Sequence, residues 1–207
     1  MKKVFFIDFD GTITTVDSCA KMVAAFAREG WEELEQMWEC GELSTEECAN
    51  RTFALFDAVP EDISQLMKTI EIDPYFINFL KMCQDQGHQV YILSDGYDQN
   101  IRLILARYQI VLPYYANKMI YDNGFRIQTP YDNKLCGKCG TCKTNLMQQL
   151  QGDAQSIYIG DGYSDICPAE HADVVYAKGA LYDYCTNHDI PAIPYQSFKD
   201  ILANLLK

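Results

Sequence analysis

The sequence has no run of eighteen consecutive apolar residues, which is the minimum for a helix that crosses a bilayer, so no membrane association is expected. Its first residues, Met1-Lys2-Lys3-Val4, lead straight into a strand-like segment without a secretory cleavage region, and the expected location is the cytoplasm. Positive charge is scarce: 17 Lys and Arg stand against 29 Asp and Glu, a net charge of -12. No basic patch is visible, so nucleic acid is not an expected partner. The same deficit bears on any anionic ligand, because the bulk field opposes its approach. A metal ion, a lysine and helix N-termini would have to supply positive charge locally. Internal repeats, low-complexity tracts and linkers are also lacking. With 207 residues, 48% hydrophobic and 22% charged, the chain has material for one main domain plus a sizeable insertion. Nothing in it points to an oligomeric state.

What is present is an alternation of strand and helix patterns. Lys3 to Ile7 (KVFFI) is too short and apolar for a helix and reads as a buried strand ending at Asp8. From about Asp17 to Met67 the pattern is helical. Met22, Val23, Phe26 and Ala27 share a helical face, Ser44 and Glu47 form a capping-box pattern for a helix to about Phe56, and Pro60 opens another. A helix over Pro74 to Gln86 precedes a strand, Gln89 to Leu93, that ends at Ser94-Asp95-Gly96. A helix over Gln99 to Tyr108 follows. Ala116 to Tyr121 and Phe125 to Thr129, around Asp122-Asn123-Gly124, read as a hairpin. Next come a helix from Thr144, a strand Ser156 to Ile159 ending at Gly160-Asp161-Gly162, a strand Asp173 to Ala177, and a closing helix Ser197 to Leu206. This rhythm predicts an α/β fold, a Rossmann-like doubly wound parallel sheet with a small helical insertion after the first strand and an added hairpin.

In such sheets ligands bind beyond the carboxyl ends of the strands. Three of those ends carry polar residues. Asp8 and Asp10, two apart on extended backbone, point to one side, and paired carboxylates suit a nucleophile and a general acid/base. Gly11 lets backbone approach a ligand. Ser94, Asp95 and Gly96 offer a hydroxyl and backbone N–H groups before a helix, a phosphate cradle. Asp161 and Asp165 are hard oxygen ligands suited to magnesium. Each motif alone is also compatible with an ordinary turn, cap or solvated residue.

Taken in order, Asp8-Phe9-Asp10-Gly11-Thr12, Ser94, Lys143 and Gly160-Asp161-Gly162-Tyr163-Ser164-Asp165 resemble the four motifs of the haloacid dehalogenase superfamily, in its aspartate-nucleophile phosphatase branch. The resemblance spans essentially the whole chain. It implies that Asp8 is the nucleophile and Asp10 the acid/base, and that Lys143, with Gly11, Thr12, Ser94, Asp95 and Gly96, holds the phosphoryl group. It implies Mg2+ bound by Asp8, the Asp10 carbonyl and Asp161, with Asp165 supporting. The insertion is similar to the helical cap of phosphoserine phosphatase-like enzymes, which places a core at 1–14 and 74–207 and a cap at 15–73. Ser44 to Phe56, the cysteines before Lys143, and Pro194 to Phe198 resemble phosphatases acting on 2-hydroxy-3-keto-5-methylthiopentenyl-1-phosphate in methionine salvage. Phosphocholine and phosphoethanolamine phosphatases share part of that pattern. Arg51 is a candidate substrate contact from the cap.

Nine cysteines, an odd number, argue against a disulfide framework. Cys19, Cys40, Cys48, Cys83, Cys167 and Cys185 are scattered and read as small apolar residues. Cys136, Cys139 and Cys142 form two overlapping C-x-x-C units just before Lys143. Zn2+ with Cys167, a histidine or no protein group as its fourth ligand, a reversible disulfide, or three reduced thiols in a tight loop all remain open. Whatever orders that loop should set the position of Lys143. The expected function is a magnesium-dependent hydrolase of a small phosphorylated metabolite. A phosphotransferase or mutase of the same superfamily, and a non-enzymatic zinc-knuckle interaction protein, are the competing readings.

Overall fold

Strand β1 (Lys3–Ile7) lies at the centre of a seven-stranded sheet in the computed structural model, which describes residues 2–206. Its side chains alternate between two buried faces. Phe5 and Ile7 join the larger core cluster, while Val4 and Phe6 pack with Leu146 and Met147 on the other side. Burial on both faces is why the strand is apolar from Val4 to Ile7 instead of alternating. The other strands are β2 (Gln89–Tyr97), β3 (Tyr114–Tyr121), β4 (Phe125–Gln128), β5 (Gln155–Gly160), β6 (Val174–Ala177) and β7 (Ile193–Pro194). Their order is β4-β3-β2-β1-β5-β6-β7, and every pair is parallel except the β3–β4 hairpin. The Rossmann-like α/β architecture expected from the sequence is therefore present.

Helices cover both faces. Between β1 and the helix that precedes β2 lie α1 (Ser18–Phe26), α2 (Trp31–Glu39), α3 (Thr45–Phe53) and α4 (Pro60–Met67). Asp17 caps α1 by accepting from the Ala20 N–H at 2.8 Å, and Ser44 with Glu47 forms a capping box on α3. The chain leaves for these helices and returns through two segments that pair with each other. Thr14 bridges Ile72, the Thr15 N–H donates to the Glu71 carbonyl (2.9 Å) and the Asp73 N–H to the Ile13 carbonyl (2.8 Å). The helices are α5 (Phe76–Asp85), α6 (Asp98–Arg107), α7 (Lys143–Leu150), α8 (Ile166–Ala169), α9 (Gly179–Asn187) and α10 (Phe198–Leu205) in the remainder. Helix α3 packs on the hairpin through aromatic rings. Phe53 lies 5.7 Å from Phe125 and 5.2 Å from Tyr97, and Phe56 lies 6.0 Å from Phe125, ring centre to ring centre.

Three departures from the sequence reading have physical causes. Strand β2 does not stop at Leu93: after a register shift Tyr97 pairs with Asn117, so Ser94, Asp95 and Gly96 sit within the strand's last turn of pairing. Strand β3 starts at Tyr114 because its first residues pair with Ile92 and Leu93 before the hairpin begins. Helix α9 and strand β7 were not expected. The apolar residues of GALYDYCTN are spread around the helix and only Leu181 and Cys185 are buried, so no single apolar face marks it.

Candidate active site

The ends of β1, β2 and β5 converge at one edge of the sheet, and α7 delivers its first residue to the same place. Lys143 is buried there and donates to Asp8 Oδ1 (2.5 Å), Asp165 Oδ1 (2.6 Å) and Ser164 Oγ (3.0 Å). Asp165, also buried, accepts from the Tyr158 hydroxyl at 2.5 Å on Oδ1, and from the Asp161 and Gly162 N–H groups, both at 3.0 Å, on Oδ2. Asp161 Oδ1 accepts from the Thr12 hydroxyl at 2.6 Å. Asp10 lies beside them with Oδ1 bonded by the Ser18 N–H (3.0 Å) and the Ser18 hydroxyl. Above these groups is a cavity of about 320 Å³. Its floor is Asp8, Asp10, Ser94, Asp161 and Asp165, and its roof is Trp31, Trp38, Ala49 and Thr52 of the inserted helices.

The electrostatics follow from that crowding. Burial, then the Asp165 charge, pushes the Asp8 carboxyl well up despite the opposing pull of Lys143. Burial and the Asp165 charge also raise Asp161, to about 6. Asp10 rises to about 7, through burial first and the neighbouring Asp17 second, against the hydrogen bonds from Ser18. Burial alone would lower Lys143, but Asp165 and Asp8 outweigh it, so the ammonium is held charged. Asp8, Asp161 and Asp165 each present an oxygen within 4.8 Å of the others. A cluster of hard oxygens crowded enough to resist ionisation fits Mg2+. Asp165 has both oxygens occupied by four donors, which suits a supporting role. Asp161 keeps Oδ2 without a hydrogen-bond donor.

The sequence profile of haloacid dehalogenase-like hydrolases matches residues 5–170. The chain belongs to that family. Curated relatives run its full length. The 2-hydroxy-3-keto-5-methylthiopentenyl-1-phosphate phosphatase of Geobacillus thermodenitrificans (strain NG80-2) is 31% identical over 99% of this chain and 97% of its own. The enzyme of the same name from Bacillus mycoides (strain KBAB4) is 32% identical over 97% and 94%. Among solved structures, a phosphoserine phosphatase described as a phospho-aspartyl intermediate analogue shares the fold, with TM-score 0.70, 18% identity and 98% coverage of both chains. This haloacid dehalogenase-like hydrolase is a phosphatase.

Within this family member the residues singled out from sequence are placed unequally. Asp8, Asp10, Ser94, Lys143, Asp161 and Asp165 meet at the strand ends. The Asp10 carboxylate does not join the group made by the other three aspartates; it lies with Asp17 and Cys19. Ser94 is buried and its Oγ accepts from the Gly96 N–H at 2.9 Å. A methyl on Gly96 would overlap Asp10 Oδ2, and Gly11, at φ +76°, leaves no room for one beside Asp161. The Gly11 N–H is committed to Thr14 Oγ1 (3.1 Å) and the Thr12 hydroxyl to Asp161, so both serve the loop and its carboxylate. Asp95 reaches the cavity wall, but its carboxylate is taken by protein donors.

Arg51 is exposed and away from the cavity. Thr45, Cys48, Ala49 and Thr52 line it, spaced as one helical face, and position 51 falls outside that face. The zinc expectation is not met either. All nine cysteines are free, Cys136 is exposed, and Cys136, Cys139 and Cys142 do not bring their sulfurs together as a metal-holding group among the described residues. What fixes the segment before Lys143 is Thr141, bridged to Tyr131 and bonded through its N–H to Asp95 Oδ1 at 2.8 Å. Thr45, Asn117, Thr141 and Tyr158 carry no sequence pattern that marks them. They are ordinary strand and cap residues until the sheet brings them together.

Proposed function

We propose that this phosphatase is a Mg2+-dependent phosphomonoester hydrolase that forms a phosphoaspartate on Asp8. The observation that carries the reading is the convergence of Asp8, Lys143, Asp161 and Asp165 beneath the cavity, with Asp10 alongside. An Asp8 oxygen attacks phosphorus as the bond to the leaving oxygen breaks, and Asp10, with its carboxyl raised to about 7, gives that oxygen a proton. Asp10 then takes a proton from water, whose oxygen attacks phosphorus and frees Asp8 and inorganic phosphate. Lys143 supplies the fixed positive charge that offsets the phosphoryl oxygens. Asp8, Asp161 and the Asp10 carbonyl would hold Mg2+, supported by Asp165, and when bound the ion neutralises charge on the transferring group.

Residues 15–73 act as a cap over a core of 1–14 and 74–207. The paired segments at Thr14 and Ile72 form the joint between them. The substrate is a small phosphorylated metabolite of the methionine-salvage kind, 2-hydroxy-3-keto-5-methylthiopentenyl-1-phosphate. Two features support this choice. Relatives bearing that name match the chain end to end. The cap side of the cavity offers Ala20, Val23, Trp31, Trp38 and Ala49 to an apolar leaving group. The test is phosphate release, with Mg2+, from this ester, phosphoserine, phosphocholine and phosphoethanolamine, by wild type and Asp8→Asn. Wild-type preference for the first ester is expected. The variant should stay folded and keep less than about one hundredth of the rate, since its amide cannot attack phosphorus. Substantial turnover by Asp8→Asn would remove the phosphoaspartate. Preference for another ester would remove the substrate.

A further inference from the structure

Asp95 is a carboxylate beside a phosphate site for which the reaction above has no use, and an unneutralised anion there would repel substrate. Its bonding shows where its charge goes. Oδ2 accepts from the Thr45 hydroxyl at 2.7 Å. Oδ1 accepts from the Thr141 N–H at 2.8 Å and from Asn117 Nδ2 at 3.2 Å, and Asn117 Nδ2 also donates to the Asp95 carbonyl at 2.6 Å. Thr45 is the first residue of α3, and Thr141 lies two residues before Lys143. A second contact joins the same partners: the Thr45 N–H, otherwise an orphan donor at the start of α3, donates to the Lys138 carbonyl at 2.9 Å. The Thr45 oxygen in turn accepts from Trp38 Nε1 at 3.1 Å. Gly140 sits so close to Asn117 that a methyl there would overlap its side-chain amide, so the segment has little room to shift.

We propose that Asp95 is a positioning residue that couples closure of the cap to placement of Lys143. The proposal rests on the phosphatase reading for its link to rate. With the cap closed, Thr45 completes the Asp95 carboxylate and caps the loop through Lys138. The other carboxylate oxygen then holds Thr141, and with it the start of α7 where Lys143 sits. With the cap open, Thr45 leaves both Asp95 and Lys138, and the segment before Lys143 loses its contacts to the cap. The lysine is thus best ordered when the site is shut against water. A carboxylate suits this task because its two oxygens accept from three donors on three separate segments at once.

The test is a double-mutant cycle with Thr45→Val and Asp95→Ala, plus Asp95→Asn as the conservative variant. The readouts are kcat and KM for p-nitrophenyl phosphate with Mg2+, Tm, and tryptophan emission. Misplacing a charged group by about 1 Å can cost on the order of 10²-fold, and a loss of that size in kcat is expected for Asp95→Ala. Asp95→Asn should recover most of it, since its amide can accept from Thr141 and donate to Thr45. Thr45→Val should lower kcat by about tenfold in the wild-type background and have little further effect in Asp95→Ala, because coupled residues are not additive. Retention of wild-type kcat by Asp95→Ala, or effects that multiply in the double variant, would overturn the coupling. If Asp95→Ala does not fold, Thr45→Val carries the test alone, and a kcat unchanged from wild type in that variant overturns the coupling. Should the wild type release no phosphate from any ester, the phosphatase reading fails and the coupling is judged on emission. In a Trp31→Phe background, where Trp38 alone emits, Thr45→Val and Asp95→Ala must then shift the emission to the same extent and without addition, and unchanged emission overturns it.

Discussion

At the scale of single residues, the site is set as much by contact distance as by charge. Gly96 has an ordinary strand backbone, yet a methyl there would overlap Asp10 Oδ2. Gly96→Ala should therefore fold normally and lose on the order of 10²-fold in kcat, by displacing Asp10 from the place its proposed acid/base role requires. Steady-state kinetics beside a thermal melt checks this, and unimpaired turnover would show that Asp10 can move without cost. Protonation gives a second expectation. In the metal-free protein the carboxyls of Asp10 and Asp161 bind protons more tightly than in the unfolded chain, with values of about 7 and about 6. Asp8 and Asp95 shift in the same direction, burial being the first cause for each. A raised carboxyl contributes stability that is complete below its unfolded value, about 4, and is lost as pH climbs through the folded value. His88, lowered by partial burial, opposes this with a single proton. The Tm in EDTA should fall between roughly pH 5 and 8, and Mg2+ should raise it more at the upper end, where no proton competes for Asp161. A melt in EDTA that is flat or rising over that window would contradict the assignment.

At the scale of elements, periodicity decides what a helix can touch. Helix α3 turns Thr45, Cys48, Ala49 and Thr52 to the cavity and leaves Arg51 exposed. Arg51→Ala should leave kcat/KM within about twofold and stability within about 0.5 kcal/mol, as for most surface changes. A large rise in KM would mean that the cap moves enough to bring Arg51 in. The loop from Cys136 to Cys142 is the counterpart case. Its thiols are free, and the contacts at its end run through Thr141 to Asp95 and Tyr131. Cys136→Ser with Cys139→Ser should keep kcat within about threefold of wild type, with or without reductant. A severe loss would show that the sulfurs place Lys143 after all.

At the scale of the whole molecule, the net charge of -12 acts on every encounter. An anionic ester approaches an anionic protein, and screening that repulsion should speed capture. With free Mg2+ held constant, kcat/KM should rise as NaCl goes from about 10 to 200 mM, over which the Debye length shrinks from roughly 30 Å to under 10 Å. A steep fall would place a basic steering surface around the cavity. The same scale explains how the inserted helices are held. Phe53 and Phe56 of the inserted segment meet Phe125 and Tyr97 of the sheet, while the Ile127 N–H donates to Asn50 Oδ1 at 3.0 Å. An aromatic face, a strand edge and the Thr45 hydroxyl are thus seated together.

The sequence by itself determined the mostly parallel sheet, the run of helices after β1 and the phosphatase family. Those features rest on local order: apolar runs bounded by turns, with Asp8 and Asp161 just past strand ends, Lys143 at a helix start and Ser94 near the end of β2. The short strand β7 and helix α9 escaped because β7 has two residues and the apolar residues of α9 do not line up on one face. Only the tertiary structure decided what Asp95, Arg51 and the cysteines touch. Thr45, Asn117 and Thr141 lie 50, 22 and 46 residues from Asp95 in the chain, and it takes the β2–β3 pairing and the packed cap to bring them to one carboxylate. Hydrogen bonds between such distant segments follow from register and packing, which no local pattern encodes.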